Sequence, residues 1–465
     1  MKKIIRITAL LLIVVMAAMT WMGCQNTSEQ TSSQQTNTEG NSSEVETGND
    51  QADENKEAAS GDGEPEDLTD GKEEPYVVTD EAAIMGMARD ILKNMTTEEK
   101  VGQLFMVNLE LLDDSEGNYY EHLKLTKEMK KNLKKYSVGG VILFTRNIST
   151  TEQTTKLIKK LQKNSKVPLF VAVDEEGGAV ARIANNDNMR TTKFPTMEEV
   201  GKMADKEYAY DMGATIGKEI KELGFNLDFA PVADVKTNEL NTEIGNRSFG
   251  NDPDLVADMV VEVVKGLQDQ GVSSTLKHFP GHGDALEDSH EGAVDVENDI
   301  NRLRQVELIP FKAGIKAGAD LIMVSHISVS RLTGTTEPAS LSSLVMKDML
   351  RTEMGFDGII VTDAMDMKAI TDYCDAGEAA VTCILSGADI CLMPEDLPLA
   401  YEAVLKAIEE GEISEKRLNE SVTRILELKI KRGIILSDTD LVAGAADTAS
   451  ENTMEGTVEE GENEE

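Results

Sequence analysis

The chain has 465 residues, of which 40% are hydrophobic and 28% charged, and its formal net charge is −39. This length fits one large domain with tails, and the apolar content is sufficient for a folded core. The strongly acidic balance argues against nucleic acid as a partner, because phosphate binding needs a basic surface.

The N-terminus reads MKKIIRITALLLIVVMAAMTWMGCQ, a positively charged start followed by an apolar run over 7–22. This run is short for a membrane span and ends in small residues, as a secretory signal does. Gly23 and Cys24 resemble a bacterial lipobox, in which the Cys is lipidated, although Trp21 departs from the usual Leu. We therefore predict a lipoprotein-type signal over 1–24 and an exported protein anchored by lipid to the outer face of the cell membrane. A simple membrane anchor or an ordinary cleaved signal remains the alternative.

Two segments of the chain have a composition that cannot form a core. Residues 25–75 are mostly Ser, Thr, Gln, Asn, Gly and acidic residues, and residues 438–465 repeat this composition. Such segments are predicted to be a disordered acidic tether and a disordered acidic tail, respectively. The folded part is expected over 76–437.

Between these segments, short apolar runs alternate with amphipathic stretches of helical period. Eight runs rich in Val, Ile and Leu are typical of parallel strands that are covered on both faces. They are VGQLFMVN (101–108), VGGVILF (138–144), PLFVAVD (168–174), NLDFAPV (226–232), VSSTLKHF (272–279), DLIMVSH (320–326), GIIVTDA (358–364) and ADICLMP (388–394). TEQTTKLIKKLQKNS (151–165) and DLVADMVVEVVKGLQDQG (254–271) are examples of the helices, and Gly271 is a plausible helix end.

The alternation predicts the α/β class, as a single (β/α)8 barrel of the TIM type. A doubly wound open sheet would also alternate. The barrel is favoured because the first strand is followed by no Gly-x-Gly-x-x-Gly turn and because polar residues follow many strands. The cysteines of this part, Cys374, Cys383 and Cys391, are expected to be free thiols, mostly buried.

In a barrel, the residues that follow the strands share one mouth, where chemistry collects. These positions hold Asp174, Asp234, Arg247, Lys277, His278, His326 and Asp363. Asp363 is either a nucleophile or general base, or the N-cap of a following helix AMDMKAITDYC. Asp174 opens DEEGG, in which Gly177 and Gly178 permit a sharp turn, and it either faces the mouth or stabilises that turn. Arg247 binds a ligand or makes a structural pair.

The segment KHFPGHGDALEDSH (277–290) holds three of the five histidines. A metal site would use His278, His282, His290 and Asp288, but the first strand has no His-x-His to complete it, and we expect no metal. Asp288 stands two residues before His290 and is suited to orient its imidazole for proton transfer. Paired with Asp363, this gives a nucleophile and a proton donor, the two roles of retaining glycoside hydrolysis. His282, between two glycines, is expected to hold the loop.

KHFPGHG followed by DSH, together with DEEGG, NRSFG and VTDAMDM, resembles glycoside hydrolase family three, in its β-N-acetylhexosaminidase branch, over residues 82–435. The resemblance implies a (β/α)8 barrel that hydrolyses terminal β-linked N-acetylglucosamine with retention and without a cofactor. Asp363 corresponds to the nucleophile, His290 to the general acid/base and Asp288 to its partner. The residues that correspond to the sugar-binding set are Asp174, Arg182, Arg247, Lys277 and His278.

Many relatives carry a second αβα domain after the barrel, but only the acidic tail follows here, so the acid/base is expected from the barrel itself. The expected substrate is an amino-sugar glycoside of the kind found in cell-wall (peptidoglycan-type) fragments. Three alternatives stay open: phosphorolysis by the same fold, a sugar-binding lipoprotein without catalysis, and a metal-dependent hydrolase.

Overall fold

The computed structural model describes residues 78–117, 119–286 and 292–436, all of which belong to the unit that spans residues 71–465. Eight parallel strands form its centre: β1 (Phe105–Val107), β2 (Gly140–Ile142), β3 (Phe170–Val173), β6 (Leu227–Asp228), β7 (Thr275–Phe279), β8 (Leu321–Val324), β9 (Ile359–Thr362) and β10 (Cys391–Leu392). A short antiparallel hairpin of β4 (Glu175–Gly177) and β5 (Val180–Ala181) follows β3.

The strands close into a barrel. Hydrogen-bonded pairing runs in the order β10-β1-β2-β3-β6 and in the order β7-β8-β9. Parallel bridges from Leu227 to Ser273 and from Val361 to Ile390 join the two groups at both edges. The (β/α)8 prediction is therefore confirmed, and a doubly wound open sheet is excluded because its edges would stay unpaired.

The helices surround the barrel. They are α1 (Glu81–Asn94), α2 (Thr97–Gln103), α3 (Lys127–Tyr136), α4 (Thr151–Lys163), α5 (Met197–Met203), α6 (Lys206–Leu223), α7 (Pro253–Asp269), α8 (Ile300–Gln305), α9 (Leu308–Lys316), α10 (Ser330–Thr333), α11 (Lys368–Thr371), α12 (Ala376–Ser386), α13 (Leu397–Glu409) and α14 (Glu415–Lys431). A π-helical segment spans Leu344–Glu353, and 3-10 turns span Thr145–Asn147, Gly245–Arg247 and Ala339–Leu341. None of the described helices is long and apolar enough to cross a membrane.

Helix α7 shows how the sequence positions these elements. Asp252 caps it by accepting the N–H of Asp254, and Pro253 fits the first turn, where a missing N–H costs nothing. Its buried face carries a row of valines, including Val256, Val260 and Val264, and each buried valine contributes roughly 1.5–3 kcal/mol. The helix ends before Gly271, as predicted; this glycine has φ +72°, a conformation that a side chain would disfavour.

Each of the eight predicted runs contains one barrel strand, but the first run was predicted too long. Residues 101–103 belong to α2, which is fixed by a capping box between Thr96 and Glu99. Cys374, Cys383 and Cys391 are free thiols, as expected, and the last two are buried. The predicted signal with Cys24, the tether over 25–75 and the tail over 438–465 lie outside the described residues and stay predictions.

Candidate active site

Three consecutive acidic residues, Asp174 to Glu176, follow β3 and lead into the hairpin of β4 and β5. Two of their side chains face the barrel mouth and the third faces the hairpin loop. Residues two apart in extended chain share a face, so Asp174 and Glu176 point together while Glu175 points away. The Glu175 carboxylate accepts the N–H groups of Ile183 and Ala184 at 2.8 and 2.9 Å. Glu175 therefore fixes the return of the loop that carries Arg182.

Two glycines make this hairpin possible. Gly177 and Gly178 have φ values of +91° and +60°. A Cβ on Gly178 would lie 2.7 Å from Cα of Thr196, closer than any side chain permits. The sharp turn predicted for DEEGG is confirmed, and it holds Asp174 and Glu176 at a fixed position.

Lys277, near the end of β7, joins the two acidic side chains. Its Nζ lies 2.8 Å from Oδ1 of Asp174 and 2.6 Å from Oε1 of Glu176, and the lysine is buried. Burial alone would lower the pKa of Lys277, but the two carboxylates outweigh it and raise this pKa. A charged ammonium is thus held rigidly at the barrel mouth.

Arg247 completes the cluster through Glu176. Its Nε and NH2 donate to the two carboxylate oxygens of Glu176 at 2.9 and 2.7 Å, and its NH1 donates to the backbone carbonyl of Glu243 at 3.1 Å. Burial opposes ionisation of Glu176, yet Arg247 and Lys277 hold the pKa of this carboxyl well below its usual range. The bidentate partner of Arg247 is therefore a residue of the mouth rather than a sequence neighbour.

Arg182 reaches the same cluster from the hairpin loop. Its NH2 lies 3.7 Å from Oδ2 of Asp174, and its buried Nε has no hydrogen-bond partner within the described part of the chain. A buried guanidinium N–H without a partner is costly unless a ligand accepts from it. Arg182 is thus suited to bind an oxygen of a substrate.

His278 is oriented by Asp234, a fully buried residue that follows β6. Its Nδ1 lies 2.7 Å from Oδ2 of Asp234, whose oxygens also accept the backbone N–H groups of His278 and His282. Burial opposes ionisation of Asp234, but His278 beside it lowers the pKa of this carboxyl. Nε2 of His278 lies 3.4 Å from NH2 of Arg247, so both ring nitrogens of His278 have a neighbour in this cluster.

Asp363 follows β9 and does not cap a helix. Its backbone N–H donates to Val324 at 2.8 Å, and its Oδ1 accepts the N–H of the adjacent Ala364 at 2.8 Å. Helix α11 begins five residues later, at Lys368, with Met367 at its N-cap. The alternative of Asp363 as an N-cap is therefore wrong, and its half-buried carboxylate belongs to the mouth.

The predicted proton donor lies outside the described residues. Asp288 and His290 fall in the segment 287–291, so their roles stay predictions. The described residues contain no group of three His, Cys, Asp or Glu side chains arranged to hold a metal ion. His282 donates its backbone N–H to Asp234, and its Nε2 lies 3.2 Å from Glu243, so it holds the loop as predicted.

The structure brings together five of the predicted residues, namely Asp174, Arg182, Arg247, Lys277 and His278, and adds Glu176, which sequence reasoning missed. The two-residue alternation in DEE could have revealed Glu176, since it places this residue on the same face as Asp174. The positioning role of Asp234 depends on contacts across the barrel with His278 and His282, whereas that of Glu175 depends on the local hairpin loop.

Comparisons with known proteins identify the family of the chain. The family model "Glycosyl hydrolase family 3 N terminal domain" matches residues 96–428. Beta-hexosaminidase A of Pseudoalteromonas piscicida is 34% identical over 72% of this chain, which spans only 61% of that relative's length. Beta-hexosaminidase LpqI of Mycobacterium tuberculosis is 34% identical over 63% of this chain and 76% of its own. A solved glycoside hydrolase family 3 beta-N-acetylglucosaminidase from Paenibacillus sp. str. FPU-7 superposes with a TM-score of 0.68 and 36% identity, covering 76% of this chain and 68% of that one. The family model covers most of the chain, from just after α1 into α14. This protein therefore belongs to glycosyl hydrolase family 3.

Proposed function

We propose that this protein is a retaining exo-β-N-acetylglucosaminidase that removes terminal β-linked N-acetylglucosamine from cell-wall fragments of the peptidoglycan type or from related amino sugars. The observation that carries the proposal is the placement of Asp363 directly after β9, not capping a helix, in the same mouth as the cluster around Lys277. The names of the similar proteins give the reaction class, β-hexosaminidase.

In this proposal Asp363 attacks the anomeric carbon and forms a covalent glycosyl-enzyme. His290, oriented by Asp288, protonates the departing oxygen and then takes a proton from the water that hydrolyses the intermediate. The cluster of Asp174, Arg182, Lys277 and His278 holds the sugar hydroxyls and the acetamido group. Rigid polar groups of this kind stabilise the transition state because they need no reorganisation when charge develops.

The first experiment measures nitrophenol release from nitrophenyl N-acetyl-β-glucosaminide by protein that begins at residue 76. We expect turnover that is independent of added phosphate, with no sugar 1-phosphate formed. Asp363→Ala should lower kcat by about 10⁴-fold, because the covalent route is lost. Added azide should restore turnover of this variant and yield a glycosyl azide of the α configuration.

Asp372→Ala is the matched control, since Asp372 is an exposed aspartate that directly follows α11, in the same segment after β9 as Asp363. Its turnover should stay within about twofold of wild type, a change of under about 0.5 kcal/mol in barrier. Wild-type turnover in Asp363→Ala would exclude Asp363 as the nucleophile. Formation of sugar 1-phosphate would instead support a phosphorylase.

The role of His290 needs a different readout, since any active-site change can slow the enzyme. His290→Ala should slow substrates with poor leaving groups far more than nitrophenyl substrates, because a good leaving group departs without protonation. Equal losses on both substrates would contradict an acid/base role.

The proposal extends to location, on the basis of the apolar N-terminus and Cys24. We propose an exported protein held by lipid at Cys24 on the outer face of the cell membrane. Full-length protein should partition with membranes and carry a lipid-modified N-terminus by mass spectrometry. Cys24→Ser should abolish the modification; unmodified, membrane-free wild-type protein would refute the anchor.

A further inference from the structure

A cavity of about 590 Å³ opens at the barrel mouth beside the sugar-binding cluster. Its walls come from the residues that follow β1, β2, β9 and β10, whereas the cluster described above comes mainly from β3 and β7. One wall is Ala364, the neighbour of Asp363 in the chain. The cavity therefore reaches the residue next to Asp363, which the proposed function assigns as nucleophile.

Phe144 is a second wall that the cavity shares with the sugar-binding cluster. The guanidinium of Arg146, which lines the cavity, lies 4.4 Å from the centre of the Phe144 ring. The guanidinium of Arg182, which pairs with Asp174, lies 6.0 Å from the same ring. Phe144 thus connects the two regions, and a leaving group that follows this ring from a sugar at Arg182 would enter the cavity.

Glu110 supplies an unsatisfied acceptor in this cavity. The residue is only 5% exposed, and its Oε1 pairs with Nε of Arg146. Its other oxygen, Oε2, is buried and has no hydrogen-bond partner in the part of the chain that the structure describes. Because a buried carboxylate oxygen without a donor is costly, this wall is suited to a ligand that donates a hydrogen bond.

The charge of the cavity is strongly negative. Arg146 is the single basic residue among the described residues that line it, and it already pairs with Glu110. The acidic lining residues are Glu110, Asp114, Asp366, Glu395 and Asp396. Of these, Asp114, Glu395 and Asp396 have no basic partner within the described ranges. Such an excess repels anionic groups and attracts cations.

We propose that this cavity binds the leaving-group side of the substrate and selects a leaving group that carries a protonated primary amine. The inference rests on the proposed function and deepens it. The amine donates to the acidic wall, with Oε2 of Glu110 as one acceptor. Two sources have this chemistry: a glucosamine unit without its acetyl group, and the side chain of a diamino acid in a cell-wall peptide.

The first test compares two disaccharides that differ only at the leaving sugar, N-acetylglucosaminyl-β-1,4-glucosamine and N,N′-diacetylchitobiose, at a pH where the amine is protonated. We expect kcat/KM to be about tenfold higher for the amine, the factor that corresponds to about 1.4 kcal/mol. The preference should shrink as salt is added, because screening weakens the attraction of an open acidic cavity.

A second pair of substrates distinguishes the two sources of amine. N-acetylglucosaminyl-muramyl peptides that end in lysine are compared with the same peptides acetylated on the lysine amine. A preference for the free amine in the disaccharide pair alone assigns the cavity to glucosamine, and a preference in the peptide pair alone assigns it to the peptide.

Variants connect the preference to the cavity. Glu395→Gln, at an exposed wall position, and Glu110→Gln, at the buried one, should reduce the preference severalfold, expressed as the ratio of kcat/KM within each variant. If Glu110→Gln fails to fold, Glu395→Gln still decides. Glu412→Gln, an exposed change outside the cavity, should leave the ratio unchanged.

The nitrophenyl glycoside separates this inference from the proposed function. Hydrolysis of nitrophenyl N-acetyl-β-glucosaminide without any preference for an amine in either pair overturns the inference and leaves the function standing. A preference that persists in both glutamine variants also overturns it. Absence of hydrolysis on every substrate overturns both.

Discussion

The barrel carries a buried network of charged residues at each end, and the two networks differ in what they leave open. At the mouth, Lys277 bridges Asp174 and Glu176, and Glu176 also binds Arg247. Around this cluster, Nε of Arg182 has no partner within the described ranges. The network is thus balanced in charge but keeps a donor for a ligand.

At the opposite end, Asp389 precedes β10 and is fully buried. Its Oδ1 accepts from Ser421 at 2.5 Å and from Arg424 at 3.2 Å, both in α14. Its Oδ2 pairs with Arg351 and accepts the backbone N–H of Ile360 at 3.0 Å. Both oxygens are occupied, and the network attaches α14 to the strands.

Buried charge alone therefore does not identify the site. In a barrel, the C-terminal ends of the strands face the catalytic loops and the N-terminal ends serve stability. Substitutions in the mouth network should thus lower both the turnover and the stability of the protein. Substitutions in the Asp389 network should lower its stability alone.

Of the changes to these two networks, Lys277→Met should give the largest effect. The change leaves Asp174 and Glu176 without their shared ammonium and removes a contact to the sugar, so kcat/KM for the nitrophenyl glycoside should fall about 10²–10³-fold. The free energy of unfolding should also fall, by about 3–5 kcal/mol, as for other broken buried ion pairs. Enzyme kinetics and urea denaturation measure the two losses.

Lys429→Met is the matched control for this experiment. Lys429 is equally buried, but it lies in α14 and its Nζ donates to the neutral Oε1 of Gln103 at 2.8 Å. Burial lowers the pKa of Lys429, and its Nζ makes no ion pair with a carboxylate of the described residues, so methionine breaks no buried ion pair here. Equal losses of kcat/KM in both variants would contradict the assignment of Lys277 to the site.

Asp389→Asn tests the opposite end. Without the carboxylate, Arg351 and Arg424 lie close together with no counter-charge, so the free energy of unfolding should fall by about 3–5 kcal/mol. At temperatures where the variant remains folded, kcat should stay within about twofold of wild type. A variant of normal stability with a low kcat would show that this network acts on catalysis.

The sequence predicted the barrel well because its signal is local. A parallel strand covered on both faces must be apolar along its whole length, so eight short apolar runs could be counted without any structure. The error in the first run has a local cause as well. Val101 and Gln103 are apolar or buried like strand residues, yet the capping box of Thr96 and Glu99 starts a helix there.

The site was less predictable because its contacts join distant parts of the chain. Glu176 and Arg247 are 71 residues apart, and Lys277 and Asp174 are 103 apart. Their positions near the strand ends predicted that Asp174, Arg247 and Lys277 lie at the same barrel mouth. These positions did not predict which residues pair with each other there. The β4–β5 hairpin was predicted only as a turn, so the opposite directions of Glu175 and Glu176 were missed.

The smallest predicted effect concerns Glu175, the residue that points away from the mouth. Burial raises the pKa of its carboxyl from 4.5 to about 7, although the N–H groups of Ile183 and Ala184 and the charge of Arg182 oppose the shift. Between these two values the folded chain binds more protons than the unfolded chain. The free energy of unfolding should therefore fall as pH rises from 4.5 to about 7, by a total on the order of 3 kcal/mol, and this contribution should be constant outside that window.

Glu175→Gln isolates this contribution, because glutamine does not titrate. Urea denaturation of both proteins across the window should show the stability of the wild type declining relative to that of the variant as pH rises. Asp228 accepts the backbone N–H of Glu175, and the charge of Glu175 adds to the burial that raises the pKa of Asp228, so the difference between the two proteins reports Glu175 together with its effect on Asp228. Glu176 has the opposite sign, since its lowered pKa gives stability that is lost as pH falls; its shift comes from Arg247 and Lys277, which both proteins retain, so it cancels in the difference. Parallel pH profiles for the two proteins would mean that Glu175 stays ionised throughout, held by the backbone of its loop as firmly as Glu176 is held by Arg247 and Lys277.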